Sequence, residues 1–242
     1  MEISTICLLV LMCTAASFVQ RVCGFGFGVF IMTMLPYLCP SYGEATAISG
    51  ILAASQSAYV LASCYKLVDW RRIVLLLITG IVAAWFAVGY VAQASESHLK
   101  MMLGIILILL SLYFLFISPN LHVRPTWRLQ ASMGALSGAM GGLFGMHGPA
   151  AVIYLLAIEP DKNRYLALGQ AYFLLTNIFL TAFRAYRGFV TPFVGTSCLY
   201  ALVGVVGGTL LGKLVFDRIS SEKLRKIIYL YMIFSGIVAI IN

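Results

Sequence analysis

The sequence predicts an all-α, polytopic membrane protein, and its composition and the distribution of its charges lead to this prediction. Of the 242 residues, 62% are hydrophobic and only 10% are charged, and the mean hydropathy is +0.98. Soluble domains are about half apolar and about a quarter charged. The apolar residues form long charge-free runs, and all eight acidic residues lie at the edges of these runs. The net charge of +8 therefore indicates membrane orientation rather than a nucleic-acid partner.

Six of the charge-free runs have the length of a simple transmembrane helix, which is about 20 residues. The predicted spans are 45–65, 73–95, 101–118, 165–185, 190–212 and 225–242. The N-terminal run follows Met1-Glu2 and has neither a positive start nor a cleavage site, so we expect a membrane segment there rather than a signal peptide.

Two further apolar regions contain glycine-rich breaks. Region 129–158 has six glycines between 134 and 148, and Pro149 follows. Region 3–38 has the motif GFGFG at 24–28. We predict that each region is a re-entrant helical hairpin that enters and leaves on the same side of the membrane. Each arm of the second hairpin has about 14 residues, or ~21 Å, which passes the midplane without crossing. The first hairpin has longer arms and could instead be a full pair of spans.

The second half of the chain repeats the first at an offset of 121 residues. This offset aligns the two breaks and pairs Ser49 with Gln170 and Gln56 with Asn177. We therefore predict one transporter domain over 1–242, built from repeat 1 at 1–121 and repeat 2 at 129–242. Each repeat consists of one broken hairpin followed by three spans.

The basic residues indicate how the repeats are oriented. If the broken segments are re-entrant, twelve Lys and Arg residues fall on one face, and only Lys100, Arg184 and Arg187 fall on the other. Cytoplasmic loops carry an excess of Lys and Arg. The twelve-to-three division predicts two inverted repeats with both termini outside the cell, whereas a single crossing of each broken segment would give no orientation.

The breaks predict a site for an anion. Non-helical backbone at membrane depth is tolerated only around protein or a water-filled cavity. Half-helices that begin near Gly28 and Pro149 would direct their free N–H groups toward the membrane centre, which favours negative charge. No acidic residue lies inside any apolar run, so the sequence offers no competing carboxylate.

Arg21 and His147 are the candidate ionisable residues of this site. Arg21 is the only charge between Ile3 and Gly43, and guanidinium matches the oxygens of sulfonate, sulfate or carboxylate. Its alternative roles are to stabilise the hairpin through backbone carbonyls or to extend its charged end to water. His147 could contact substrate or carry a proton, or it could be a neutral cap of the loop.

The remaining candidates are glycines of the breaks and paired polar residues. The amides could donate to an anion or bond one helix to another. The predicted substrate-binding set is Arg21, Gly24, Gly26, Gly28, Ser49, Gln56, Gly145, His147, Gly148, Pro149, Gln170 and Asn177. We predict neither catalytic residues nor a metal site. Gly204, Gly208 and Gly212 are spaced by four and predict a close-packing helix face.

The chain resembles the TauE/SafE family of sulfite exporters and anion permeases, also described as 4-toluene sulfonate uptake permeases. The motifs that carry the resemblance are GFGFG at 24–28 with Pro36 downstream, Ser137-Gly138 followed by GMHGP at 145–149, KLVDWR at 66–71, and the spaced glycines Gly204, Gly208 and Gly212. They recur in order over nearly the whole chain. Phe27 and His147 stand where the family usually has glycine. The resemblance implies a multi-pass transporter of sulfite, sulfonates or other small organic anions.

We therefore predict a secondary transporter of small sulfur-containing or organic anions, such as sulfite, taurine or sulfoacetate, that works by alternating access. A passive anion channel is the alternative that sequence cannot separate from a carrier. An intramembrane enzyme is disfavoured because no GxSxG or HExxH motif occurs and the three histidines lie far apart.

The predicted partners are the anion and the lipid bilayer, with a homodimer left open and nucleic acid excluded. We expect no bound cofactor. Coupling to H⁺ or Na⁺ is left open, as are direction and uniport. The predicted location is the cell membrane, inner or plasma, as a multi-pass protein.

Overall fold

The computed structural model describes residues 3–117, 126–215 and 236–241, together with positions 230, 233 and 234. Every regular element within these residues is helical. The α-helices are α1 Ile3–Cys23, α2 Phe27–Ile31, α3 Leu35–Leu38, α4 Tyr42–Ala62, α5 Val74–Val91, α6 Glu96–Leu112, α7 Trp127–Phe144, α8 Gly148–Ile158, α9 Lys162–Tyr186 and α10 Pro192–Val215. Two 3₁₀ turns, Tyr65–Leu67 and Trp70–Arg72, join α4 to α5, and a π-helical turn, Tyr113–Ile117, extends α6. The all-α prediction is confirmed.

Five of the described helices are long and apolar enough to cross a membrane, namely α1, α4, α5, α9 and α10. Their mean hydropathies run from 1.3 for α4 to 2.3 for α5. Large apolar side chains on the outer helices face outward, with Phe86 71% and Val203 69% exposed. Such a surface is suited to lipid rather than water. The molecule is therefore a multi-pass membrane protein.

Five of the described α-helices begin at a side-chain cap, which explains where they start. A Ser, Thr or Asp oxygen accepts a hydrogen bond from the backbone N–H three residues later and satisfies one of the free donors of the first turn. These caps are Ser41 for α4, Ser95 for α6, Thr126 for α7, Asp161 for α9 and Thr191 for α10.

The two breaks fall where the glycine motifs predict them. After α1, Gly24 and Gly26 have φ angles of 82° and 112°, and after α7, Gly145 has a φ of 66°. Only glycine adopts these angles at little cost. Gly24 and Gly145 differ by the offset of 121, so the chain turns out of a long helix at matched positions of its two halves.

The long helices pack in three pairs: α1 with α10, α5 with α7, and α4 with α9. The first two pairs are parallel and in close backbone contact. Gly204, Gly208 and Gly212 of α10 lie successively against Val10, Thr14 and Arg21 of α1, which confirms the predicted packing face. Gly134, Gly138 and Gly142 of α7 lie in the same way against Leu76, Gly80 and Ala84 of α5.

The central pair, α4 and α9, is antiparallel. Gly43 near the start of α4 lies against Phe189, just beyond the end of α9, and Gly50 lies against Thr181 and Arg184. Both helices carry more buried residues than the outer ones, with 61% of the apolar window inside the protein compared with 39% for α5 and α10. The α4–α9 pair therefore forms the interior of the bundle.

One end of the bundle is organised by Arg72, and we call it the Arg72 end. The Arg72 carbonyl accepts a 2.8 Å hydrogen bond from Gln130 near the start of α7. Its guanidinium forms a 2.9 Å ion pair with Glu159, which directly follows α8. Helices α7 and α8 therefore form a hairpin that starts and finishes at the same end of the bundle.

The opposite end is organised by Glu44, and we call it the Glu44 end. The Glu44 carboxylate accepts hydrogen bonds from Ser41 at 3.1 Å and from Thr191 at 2.6 Å. The backbone N–H of Tyr42 donates to Glu96 at 3.2 Å. These contacts gather the starts of α4, α6 and α10 at one end.

The predicted spans differ from the helices mainly at their boundaries. The spans expected at 45–65, 73–95, 165–185 and 190–212 correspond to α4, α5, α9 and α10, whereas 101–118 corresponds to α6, which starts earlier at Glu96, and the π-helical turn. The span expected at 225–242 lies largely outside the described residues, and residues 236–241 are helical. The arm of about 14 residues expected before the second break is the 18-residue helix α7. The inverted relation of the repeats and their re-entrant paths stay predictions.

The glycine contacts between α1 and α10 generate a prediction about stability. A Cβ at Gly208 would overlap the Thr14 carbonyl oxygen and lie 2.9 Å from Ser17 Cβ, whereas a Cβ at Gly207 would meet nothing within 4 Å. We expect Gly208→Ala to lower the free energy of unfolding by about 1–3 kcal/mol, because overpacking forces the helices apart. Gly207→Ala should be neutral or slightly stabilising, since alanine favours helix. Thermal unfolding in detergent measures both, and equal melting temperatures would contradict the packing.

Candidate functional site

The two glycine breaks meet each other in the interior of the protein. A Cβ at Gly28 would collide with the carbonyl oxygen of Gly145 and lie 3.1 Å from Met146 Cα. A Cβ at Gly148 would lie 3.4 Å from Phe25 Cβ. Glycine at these positions therefore allows the backbones of the two breaks to touch.

A small cavity lies where the breaks meet, and we call it the tip cavity. Its lining residues are Gln20, Gly26, Phe27, Gly28, Val29, Ala53, Gly145, Met146, His147, Gly148, Phe173 and Asn177. None of them is an acid, a lysine or an arginine. The space open to the centre of a water-sized molecule is only about 20 Å³, which is room for about one water. An oxyanion is larger than water, so the cavity is too small to hold one in this conformation.

Two paired polar residues brace the breaks across the halves of the chain. Ser49 on α4 donates a 3.0 Å hydrogen bond to the carbonyl of Gly145. Gln170 on α9 donates a 3.3 Å hydrogen bond to the carbonyl of Gly24. Ser49 and Gln170 are partners at the offset of 121, and so are the two glycines that they hold. Each half of the chain thus fixes the break of the other half.

Gln20 is a candidate site residue that was not predicted from the sequence. It is 4% exposed, lines the tip cavity and accepts a 3.3 Å hydrogen bond from the backbone N–H of Phe27. Its amide nitrogen lies 3.5 Å from Ser57 and 3.4 Å from the amide oxygen of Gln170. Gln20 therefore ties the first break to both central helices. Its position one residue before Arg21 was the only available signal.

Gln56 has the helix-to-helix role that was its alternative. Its amide donates a 2.7 Å hydrogen bond to the Ser17 carbonyl on α1, and its amide oxygen has no protein partner. Gln56 is fully buried but does not line the tip cavity.

Asn177 and His147 form the polar wall of the tip cavity. The Asn177 amide nitrogen donates a 2.9 Å hydrogen bond to the Phe173 carbonyl and lies 3.1 Å from His147 Nε2. With the amide assigned in this orientation, Nε2 is the acceptor and the imidazole proton resides on Nδ1. His147 Nδ1 is buried without a partner, and the side chain does not cap α8.

The backbone at His147 is held from the other side by two hydroxyls. Tyr172 donates a 2.8 Å hydrogen bond to Ser137 Oγ, and Ser137 donates to the His147 carbonyl. Both side chains are fully buried. This relay fixes the second break between α7 and α9.

Arg184 is a second candidate site residue that was not predicted from the sequence. The prediction assigned it to a loop facing away from the basic side, but the side chain is 0% exposed. It donates a 2.7 Å hydrogen bond to the Gly141 carbonyl, while Nε and Nη1 have no partner. A sequence signal existed: Gln170, Asn177 and Arg184 recur every seven residues, which places them on one face of α9.

Arg21 lies outside the tip cavity. It is half-buried in the last turn of α1, with its stem against Gly212 of α10 and its charge near Cys64 at the end of α4. These neighbours place Arg21 toward the Arg72 end, whereas Arg184, near Tyr42 and Gly50, lies toward the Glu44 end.

Half of the predicted site residues line the tip cavity and half lie around it. Those that line it are Gly26, Gly28, Gly145, His147, Gly148 and Asn177. Those outside the lining are Arg21, Gly24, Ser49, Gln56, Pro149 and Gln170.

This architecture, in which apolar helices surround two broken segments that meet at a polar cavity, defines a multi-pass membrane protein of the transporter class. The chain belongs to the TauE/SafE family: the family model described as "Sulfite exporter TauE/SafE" matches residues 9–239.

A curated relative supports the same assignment. The "Probable sulfite/organosulfonate exporter TauE" of Cupriavidus necator is 23% identical over 212 residues, which cover 82% of this chain and 79% of the relative. No solved structure matches the chain significantly. The resemblance inferred from the motifs is therefore confirmed, and the family is one of membrane transport of sulfur-containing anions.

The cross-bracing hydrogen bonds generate a prediction about Ser49. We expect Ser49→Ala to lower the free energy of unfolding by about 1–3 kcal/mol, because the Gly145 carbonyl is left buried without that donor. Ser55→Ala is the matched control on α4, since the Ser55 hydroxyl bonds only the Ile51 carbonyl of its own helix. Chemical or thermal unfolding in detergent compares the two variants. If Ser55→Ala lowers the free energy of unfolding as much as Ser49→Ala does, the hydrogen bond from Ser49 to the Gly145 carbonyl does not stabilise the break.

Proposed function

We propose that the protein is a secondary transporter that carries a small sulfur-containing or organic anion across the cell membrane by alternating access. Sulfite and sulfonates such as taurine or sulfoacetate are the proposed substrates. The relative from Cupriavidus necator is named for sulfite and organosulfonate, and the chemistry of the tip cavity fits that class of ligand.

The observation that carries the proposal is the polar, acid-free cavity between the two breaks. Backbone N–H groups of the glycine-rich turns can donate to an oxyanion, and so can the Asn177 N–H that faces His147 Nε2 once it turns to the anion. No lining carboxylate would repel the anion. The eleven-residue helix α8 also begins at this cavity, so its N-terminal dipole favours negative charge there. We assign Gly26, Gly28, Gly145, Gly148 and Asn177 as the residues that contact the anion.

The proposed membrane path makes both broken segments re-entrant. The α7–α8 hairpin starts and finishes at the Arg72 end, which supports this path for the second segment. Helix α1 runs parallel to α10, which starts at the Glu44 end, and α3 leads directly into α4 at that same end. The first segment would therefore return to the Glu44 end, which gives two repeats of opposite orientation. By the distribution of Lys and Arg, the Arg72 end would face the cytoplasm.

The packing pairs suggest which parts move. The α1–α10 and α5–α7 pairs are each tightened by backbone contacts at glycines, so each pair is suited to move as a rigid unit. The central helices α4 and α9 meet both breaks through hydrogen bonds that span the halves of the chain. Rocking of the outer pairs about α4 and α9 would open the tip cavity to one end at a time.

The coupling mode, the direction and the assembly are parts of the proposal that the anion site itself does not determine. His147 is the residue of the tip cavity that could carry a proton, and the carbonyls of the breaks could hold a sodium ion. Uniport requires neither. A homodimer in the plasma membrane completes the proposal.

Counterflow in proteoliposomes tests the proposed transport. We expect uptake of labelled sulfoacetate or taurine to accelerate when the vesicles are preloaded with unlabelled substrate, because a carrier returns faster when it is loaded. Flux that is indifferent to preloading would indicate a pore.

Asn177→Ala should slow exchange by about 10-fold or more through loss of a hydrogen bond to the anion. Asn163→Ala, at an exposed position on the same helix, is the matched control and should leave exchange unchanged.

Cysteine accessibility tests the proposed topology. In a variant without the six native cysteines, single cysteines replace Lys66, Arg128 or Arg187, which are all exposed. We expect a membrane-impermeant thiol reagent to label the first two positions from the cytoplasmic side and the third from the outside. Labelling of the first two from opposite sides would contradict α5 and α6 as two full spans, and labelling of Arg187 from the same side as Arg128 would rule out the re-entrant path of the segment between them.

A further inference from the structure

Arg184 is a buried cation whose counter-charge is missing from the described part of the chain. Its side chain is 0% exposed, and no carboxylate among the described residues forms an ion pair with it. It makes one hydrogen bond, to the Gly141 carbonyl, and its Nε and Nη1 donors are buried without acceptors. Burial of a charge without a partner is strongly unfavourable, and charges within membrane segments mark function more often than structure.

Several groups close to Arg184 that can donate a hydrogen bond have no acceptor. Gly50 has no side chain, and the position of a Cβ there lies 2.7 Å from Arg184 Nη1, 3.5 Å from Asn177 Oδ1 and 3.6 Å from Thr181 Oγ1. The Thr181 hydroxyl and His147 Nδ1 also lack partners. The Thr181 hydroxyl and His147 Nδ1 are therefore unused donors in the same region as the unused Nε and Nη1 of Arg184. An anion with two or more oxygens would satisfy them together.

We propose that Arg184 is the cationic ligand of the transported anion, which on leaving the tip cavity binds at a second, adjoining position between Arg184, Thr181 and His147. This inference rests on the proposed function and names the charge that selects its substrate class. The planar guanidinium presents paired N–H groups that match two oxygens of a sulfite or sulfonate. The bound anion supplies the missing counter-charge.

The anion position is continuous with the tip cavity. His147 and Asn177 line that cavity, and both lie beside Arg184. An anion that moves from the cavity toward the Glu44 end therefore meets Arg184. The Glu44 carboxylate at that end is already engaged by Ser41 and Thr191, and this arrangement leaves the guanidinium available to the substrate.

The first test replaces Arg184 and measures anion binding by isothermal titration calorimetry with sulfite and sulfoacetate. We expect Arg184→Gln to weaken binding by about 30-fold or more, because the anion then lacks its charged hydrogen-bond partner. Arg184→Lys should restore part of the affinity, since it keeps the charge without the fork. Arg187→Gln, an exposed arginine three residues further on, is the matched control and should leave binding unchanged.

A second variant keeps Arg184 and moves its guanidinium. A Cβ at Gly50 would displace Nη1, the end of a flexible side chain, so Gly50→Ala should fold normally. We expect about tenfold weaker binding, because misplacing a binding group by about 1 Å is costly. Gly195→Ala is the control, since a Cβ there meets nothing within 4 Å. If Arg184→Gln does not yield monodisperse protein on size-exclusion chromatography, the anion affinity of Gly50→Ala tests the role of Arg184 instead.

The outcomes separate this inference from the proposed function. Wild-type binding that both Arg184→Gln and Gly50→Ala retain overturns the role of Arg184 and leaves the transporter proposal intact. If Arg21→Gln loses anion binding while Arg184→Gln keeps it, the role of Arg184 is also overturned, and Arg21, the arginine predicted from sequence, takes that role. Failure of the wild-type protein to bind or exchange any sulfur oxyanion refutes the proposed function, and the inference falls with it.

Discussion

The need to satisfy backbone groups at two interrupted helices constrains the rest of this structure. A chain that leaves helical geometry inside an apolar bundle exposes N–H and C=O groups that no water can solvate. Here the carbonyls at the two turns accept hydrogen bonds from Ser49 and Gln170, each from the opposite half of the chain. Gln20 satisfies the first N–H after the first turn. Because neither break is satisfied by its own half alone, folding of the two halves is coupled, and the cavity between the breaks has walls fixed from both sides.

Close packing of helix backbones is the second constraint on the structure, and glycines on different helices provide it in the two outer pairs. In the α1–α10 pair the glycines belong to α10, and in the α5–α7 pair they belong mainly to α7. In a membrane, where lipid is as apolar as leucine, such close approach is a main source of helix association. Tight outer pairs leave the central α4 and α9 to carry the polar residues. Among the buried polar side chains on these helices, Ser49, Gln56 and Gln170 bond to neighbouring elements instead of to lipid.

The elements and the breaks could be predicted from sequence because both depend on local signals. Apolar runs of helical length give the spans, and the glycine motifs at 24–28 and 145–149 give the turns. The pairing of Ser49 with Gln170 also pointed to the right region, although their observed partners are backbone carbonyls. Arg184 was misplaced because a charge near the end of an apolar run is ordinarily a loop residue. Its burial depends on how α9 packs against α4 and α7, and that long-range information is absent from the local pattern.

Arg21 and Arg184 occupy related places in the fold that a comparison of the two halves of the sequence does not detect. At the offset of 121, Arg21 matches Gly142 and Arg184 matches Ser63, so no alignment of the halves pairs one arginine with the other. In space, Arg21 on α1 lies near Cys64 at the end of α4, and Arg184 on α9 bonds the carbonyl of Gly141 near the end of α7. Each arginine thus lies where a broken hairpin meets the central helix that follows it. In the first half of the chain the charge is on the hairpin helix α1, and in the second half it is on the central helix α9. One guanidinium lies toward each end of a cavity whose own lining is uncharged. An anion at the proposed site would therefore be attracted in both directions, which suits the proposed opening of that site to both sides of the membrane.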